Sequence, residues 1–371
     1  MLEGVKIIDF SHYLPGPFAS LRLADLGAEV VKIEPKTGDM MRKLADDCIF
    51  EANNKNKRSI TVDLKNAQDA DAVRQLISEA DVIIESFRPG VMKRLGLGYE
   101  DVYALNPAVV YCSISGYGQH SRYASFGSHD LNYMALTGML AQFKDESGRP
   151  VHPTITLADL IGSMHAVEQI IAALYARERT GKGRYIDIAL VDGLLSMMTN
   201  HFVVEHYTGQ KNGIPVLAGT ILSYHLYETK DGRYMALAAL EPHFWRNFCH
   251  AVEKPAWFEG HLSVACDDNP LFLEIKQLFR TKTLQQWIAF AEQVDCCLAP
   301  VLETDEAKTW FANNPHRKMI HIENDRIEVA TRYDEHFFTK RTRAPKLNEH
   351  EHLLRGESEN DERSIKYCDN A

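Results

Sequence analysis

Short β-branched runs alternate with helical patterns from the first residues of the chain. VKIIDF reads as a strand, and GPFASLRLADLGA carries its apolar positions at helical spacing. EVVKIE, SITVDL, DVIIES and VVYCSIS read as further strands, while AQDADAVRQLISEA and the segment from Gly90 to Leu105 read as helices. Repeated βαβ units predict a mostly parallel sheet covered by helices on both faces. The expected class is therefore α/β, with a doubly wound, Rossmann-like large domain.

A long helix is predicted from Asp159 to Arg179. Ile161, Met164, Val167, Ile170, Ile171 and Leu174 form its apolar positions, and it stops at Thr180-Gly181-Lys182-Gly183. The strand RYIDIAL and the helix DGLLSMMTNHFVV follow. Between 205 and 225 the periodicity fades around Gly209, Gly213, Pro215 and Gly219, which reads as a connection. SYHLYETKDGRYMALAAL then reads as two strands around Lys230-Asp231-Gly232, with helical patterns at FWRNFCHAV, LFLEIKQLF and TLQQWIAFAEQV. The expected division is a large domain at 1–204, a linker at 205–224, a smaller α+β domain at 225–315, and a segment at 316–371 that returns to the large domain. Its end, from Asn348 onward, is acidic and has little to bury, so a solvated, partly mobile tail is expected.

Charge narrows the partners. With 41 Lys+Arg against 51 Asp+Glu the net charge is -10, which disfavours a nucleic-acid backbone or an anionic bilayer and requires a local basic pocket for any polyanionic ligand. No stretch resembles the ~20 apolar residues of a membrane span and the N-terminus lacks a signal-peptide pattern, so a cytoplasmic protein is expected. The 7 cysteines are scattered without C-x-x-C or C-x-x-H spacing, so neither structural metal nor a disulfide framework is expected. The first strand-to-helix turn, DFSHYLPGPFAS, has no G-x-G-x-x-G and no P-loop, which disfavours NAD and nucleotide-triphosphate chemistry.

Four features carry candidate chemistry. The first is the run Ser128-His129-Asp130-Leu131-Asn132-Tyr133; the second is Asp159, where the helix dipole is expected to hold the carboxylate ionised and oriented. The third is Glu241 ahead of Pro242. Taken singly, His129 is an ordinary hydrogen-bonded histidine, and Asp159 and Glu241 are ordinary helix-start acids. The fourth is a set of basic residues near strand ends: Lys36, Arg42, Lys57, Arg58, Arg88 and Arg94. Ligands of open α/β sheets bind outside the carboxyl ends of the strands, and cations there suit phosphates.

In their order these segments resemble the family III CoA-transferase (CaiB/BaiF) superfamily, which also contains the α-methylacyl-CoA racemases. The resemblance rests on VKIIDFSHYLPGPFASLRLADLGAEVVKIEP, GDMMR, NKNKRSITVDLK, DVIIESFRPGVMKRLGLGYE, LNPAVVYCSISGYG, the Asp159 helix with IIAALYARERTGKG, and YETKDGRYMALAALEPHFW. It implies an interlocked homodimer that binds an acyl-CoA thioester on the large domain, with coenzyme A as part of the substrate and no permanently bound cofactor. It also implies CoA contacts at Lys36, Arg42, Arg58, Leu64, Arg88 and Arg94. The family's G-H-D-x-N-Y motif falls on Ser128 to Tyr133. On the racemase pattern Asp159 and His129 are the two bases that move the α-proton, Asp130 is the histidine's neighbour and Glu241 orients the histidine. Backbone N–H groups at the start of the Asp159 helix are then expected to stabilise the enolate oxygen. On the transferase pattern Asp159 is a nucleophile forming an aspartyl-CoA thioester. Glu241 and the absence of the transferases' glycine-rich loop favour the racemase. Ser128 in place of glycine, and Leu-Ile-Gly-Ser-Met after Asp159 in place of a glycine run, favour the transferase. An acyl-CoA-binding protein without turnover is a third reading, opposed by the presence of all three acid–base residues.

Overall fold

Six parallel strands with the order β3-β2-β1-β4-β5-β6 form the platform of the first of two units. The computed structural model describes residues 1–355 except 146, 325, 333, 335 and 338–340. In chain order the elements are β1 (Lys6–Asp9), α1 (Pro15–Ala24), β2 (Glu29–Glu34), α2 (Cys48–Asn53), β3 (Lys57–Thr61), α3 (Ala67–Ser78), β4 (Val82–Glu85), α4 (Val91–Arg94), α5 (Tyr99–Leu105), β5 (Val110–Ser115), α6 (Asp130–Leu136), α7 (Leu157–Thr180), β6 (Arg184–Ala189) and α8 (Leu190–Met197). The expected α/β class with a parallel sheet is what the structure holds.

Both faces of this sheet are covered, which is why its strands read as nearly unbroken apolar runs. Alternation sends Ile7, Val30, Val82 and Ile84 to one face, where α1 and α7 bury Leu23, Ala166 and Ile170 on them. Ile8, Val31, Ile33 and Ile83 turn to the other face, against Val73 and Ile77 of α3. The register Ile8↔Val31 and Ile8↔Ile83 keeps the two sets apart.

By contact the chain divides into Met1–Met198 with the described part of His316–Ala371, and Thr199–Pro315. The second unit comprises α9 (Thr199–Thr208), β7 (Tyr224–Glu228), β8 (Tyr234–Ala238), α10 (Pro242–Ala251), α11 (Pro270–Phe279), α12 (Leu284–Ala291), β9 (Leu298–Pro300) and α13 (Thr304–Ala312). Its three strands are antiparallel, and its core stacks Tyr227 on Phe279 at 4.6 Å and Trp245 on Phe248 at 5.5 Å. After it, β10 (Ile320–Glu323) and β11 (Arg326–Val329) form a hairpin. Asn348 and His350 then lie along β3: the Asn348 side-chain oxygen accepts from the Thr61 N–H at 2.8 Å, and the His350 N–H donates to the Ser59 carbonyl at 3.0 Å. The acidic end beyond 355, with Cys368, lies outside the described residues; the other six cysteines are free thiols.

Several boundaries differ from the pattern. The segment from Gly90 to Leu105 is two short helices, α4 and α5, because Gly96 adopts a φ of +68° between them. The expected helix over DGLLSMMTNHFVV breaks at Met198, and α9 continues to Thr208, inside the expected linker. α2, α6 and α13 are short and were not signalled by periodicity. α7, at 24 residues, is long and apolar enough by length and composition to cross a membrane, contrary to the expectation that no stretch approached this; Ala158, Ala166, Ile170 and Leu174 on it belong to the core of the first unit.

Candidate active site

The strand order reverses direction between β1 and β4, and the crevice outside such a reversal is where open α/β sheets bind ligands. Here the loop after β1 carries Ser11 and His12, and the loop after β4 carries Ser86, Phe87 and Arg88. The His12 N–H donates to the Ser86 hydroxyl at 3.0 Å, tying the two loops together.

On one side of this tie lies a cleft of about 580 Å³ whose lining includes Arg88, Gly116, His129, Tyr133 and Asp159. Gly116 is required there: a Cβ would fall 2.4 Å from the Tyr133 hydroxyl. That hydroxyl donates to the Ser128 carbonyl at 3.1 Å and fixes the loop ahead of His129. His129 is the residue before α6 in extended conformation, its N–H donating to the Asn132 side-chain oxygen at 3.1 Å, and it is exposed at the cleft.

Asp159 occupies the third position of α7. Its backbone N–H donates to Asp130 Oδ2 at 3.1 Å, and Asp130 also accepts from the Ala158 N–H, so the first residue of α6 caps the start of α7 while Thr156 gives no side-chain cap. Two expectations are corrected here. The first-turn N–H groups of Ala158 and Asp159 are occupied by Asp130 and are not free for an enolate oxygen. Nor is Asp159 held ionised: burial first, and the neighbouring Asp130 charge second, outweigh the helix dipole and raise its carboxyl to about 7. Burial likewise raises Asp130, against the backbone bonds it accepts.

Behind Asp159, the Ser163 hydroxyl donates to the Pro15 carbonyl at 2.6 Å, joining α7 to the start of α1. Gly162 faces α8, where a Cβ would meet Leu190 Cδ2 at 2.3 Å; it is spent on helix packing. Glu241 belongs to the second unit, where it is the exposed residue ahead of α10, without a side-chain cap, and its charge raises the Cys297 thiol after burial has done so.

On the other side of the tie is an apolar cleft of about 380 Å³ lined by Phe10, Ile33, Val62, Leu64, Phe87 and Leu95 among others. Beneath it lies a buried ionic network that the sequence did not signal. Lys32 Nζ donates to the Ser11 carbonyl at 2.7 Å and pairs with Asp39 at 3.0 Å. Lys57 Nζ pairs with Asp9 at 3.4 Å and donates to the Pro17 carbonyl at 2.8 Å. Burial lowers Lys57 to about 7 despite the Asp9 charge. Burial pushes Asp9 up, yet Lys32, Lys57, Ser11 and Ser20 together hold it below its usual range.

The basic residues singled out in the sequence do not converge. Arg88 lines the Asp159 cleft, with Nη2 3.3 Å from where a Gly127 Cβ would be. Leu64 lines the apolar cleft, and Lys36, between the lining residues Pro35 and Thr37, is exposed and 4.0 Å from Asp69. Arg42 is committed within the protein, forked on Glu34 at 2.8 Å and stacked over Phe50 at 3.5 Å. Arg58 pairs with Glu29, at the end of the sheet opposite the clefts, because it is the second residue of β3, beside the start of β2. Lys57 is internal, and Arg94 is exposed at the end of α4. Among the described residues no three His, Cys, Asp or Glu side chains gather as a metal site. His12 and Phe87 were missed, although both lie in the loops just after the strands that meet at the reversal.

The profile of CoA-transferase family III matches residues 2–351. Human succinyl-CoA:glutarate CoA-transferase is 30% identical over an alignment covering 98% of this chain and 87% of that protein. Human alpha-methylacyl-CoA racemase is 32% identical over 82% of this chain and 78% of its own length. Among solved structures, a CaiB/BaiF family protein from Brucella suis is 25% identical with a TM-score of 0.77, covering 96% of this chain and 98% of that one.

Proposed function

This chain belongs to CoA-transferase family III, and from that premise we propose that it moves the α-proton of a 2-methylacyl-CoA thioester between Asp159 and His129. The thioester carbonyl takes up negative charge as an enolate when the adjacent carbon loses its proton, so racemisation needs one base and one acid on opposite faces of that carbon. The observation that carries the reading is that Asp159 and His129 line one cleft while burial and Asp130 bring the Asp159 carboxyl to about 7, where it is able both to give and to take a proton at neutral pH. His129 stands in the same cleft as the second proton carrier. The apolar cleft beside Leu64 and Phe87 suits the flat, apolar faces of an adenine, and Arg88 stands at the acyl end of the same passage.

A second reading has its own observation in support. Gly162 is turned to Leu190, so no free glycine follows Asp159 to admit a thioester carbonyl against the backbone. In a CoA-transferase the Asp159 carboxylate attacks that carbonyl, the C–S bond breaks with CoA thiolate leaving, and a mixed anhydride forms; the thiolate then attacks the aspartyl carbonyl, giving the aspartyl-CoA thioester and releasing the acyl group as its acid.

Two variants separate the readings. His129→Ala should lower α-proton exchange by roughly 10²–10⁴-fold while leaving most of any CoA transfer, and Asp159→Ala should abolish both. Undiminished exchange in His129→Ala would remove the two-base assignment.

A further inference from the structure

Only two of the residues discussed above, His12 and Phe87, line both clefts. The His12 ring is half-buried, held against Phe87 at 5.0 Å and Tyr13 at 4.7 Å. Its backbone is fixed by the Ser86 hydroxyl, which accepts from the His12 N–H at 3.0 Å and donates back to the His12 carbonyl at 3.4 Å. Among the described residues neither ring nitrogen has a hydrogen-bond partner, although Ser11, Lys32 and Asp39 close by are all engaged with one another. Burial lowers its pKa, with Asp39 raising it and Lys32 lowering it further, so the ring is neutral at pH 7 and offers one N–H donor and one bare acceptor nitrogen. A secondary amide offers the same pair in complement.

We propose that His12 is the seat of the pantetheine arm, hydrogen-bonding one of its amides at the passage between the nucleotide cleft and the Asp159 cleft and so setting how far the thioester reaches. This rests on the reading of the two clefts as one CoA site. Coenzyme A carries two secondary amides between its nucleotide and its thiol. An apolar passage with a single unpaired polar ring selects for an amide at that depth, because an unmatched amide would lose its hydrogen bonds to water without replacement.

Calorimetric titration of the full-length protein with coenzyme A and with adenosine 3′,5′-bisphosphate, its nucleotide half, tests this. His12→Leu should weaken coenzyme A about five- to tenfold, as for one lost hydrogen bond, and leave the bisphosphate within about twofold; His12→Asn, which keeps a donor and an acceptor, should recover most of the loss. Unchanged coenzyme A binding in His12→Leu, equal weakening of both ligands, or no recovery in His12→Asn would overturn the assignment of His12 while the wild-type titration still upheld the CoA site. Absence of coenzyme A binding to the wild-type protein would overturn both.

Discussion

Beneath the apolar cleft of the first unit, Asp9, Lys32, Glu34, Asp39 and Lys57 are almost wholly withdrawn from solvent, whereas the interior of the second unit is filled by Tyr227, Trp245, Phe248, Phe279 and Trp287. Among the described residues every buried charged side chain lies in the first unit. Buried ion pairs add little net stability over apolar residues of the same size, while stacked aromatics add to it. What the ions provide is position. Lys32 holds the Ser11 carbonyl and Asp39, which line the apolar cleft, and Lys57 holds the Pro17 carbonyl of α1 and the Asn54 side chain after α2, so the cleft wall and the elements behind it are fixed from below. The second unit is built on a hydrophobic, largely aromatic core, with no buried charged side chain among the described residues.

The contrast is most sharply broken by Lys57→Met. It strips Asp9 of one of its two cations inside the protein and should destabilise the first unit by about 3–5 kcal/mol in chemical denaturation, whereas replacing Asp9 and Lys57 together by Leu and Met should cost far less. In the second unit Phe279→Leu stays apolar but gives up some volume and the rings' stacking, and a loss of only about 1–2 kcal/mol is expected by the same measurement.

At Asp159 the expected effect is a gain. The Asp159 carboxyl is raised from 3.8 to about 7 in the folded protein, so its charged form opposes folding. This loss begins as pH rises past 4 and is complete above 7. Asp159→Asn should therefore be inactive yet more stable than the wild type by up to about 4 kcal/mol at pH 8, with no difference near pH 4, as read from melting temperatures at the two pH values.

Much of this was legible in the chain. The strands β1, β2, β4 and β5 follow from apolar runs buried on both faces, the edge strand β6 from RYIDIA with Arg184 and Asp187 exposed, and α7 from its periodicity and its end at Gly181. His129, Asp130 and Asp159 were visible as a family pattern, and they meet because α6 caps α7. That cap was not legible: α6 is 7 residues long, too short for a periodic signal, and the partner of Asp130 lies 29 residues away. The sign of the Asp159 shift was likewise hidden, since local sequence reports the helix dipole but not the burial and the second carboxylate that outweigh it. Arg42, Arg58 and Lys57 looked alike as cations near strand ends; only the fold reveals that Glu34, Glu29 and Asp9 already take them.

The central claim is that Asp159 and His129 exchange a proton with the carbon next to a thioester. Proton NMR of the wild-type protein with one enantiomer of a 2-methylacyl-CoA in deuterated water tests it most directly. The α-proton signal should disappear as the centre inverts, with the thioester intact. A persistent α-proton, together with transfer of CoA to an added carboxylic acid in a parallel sample, would contradict the two-base account and make Asp159 a nucleophile.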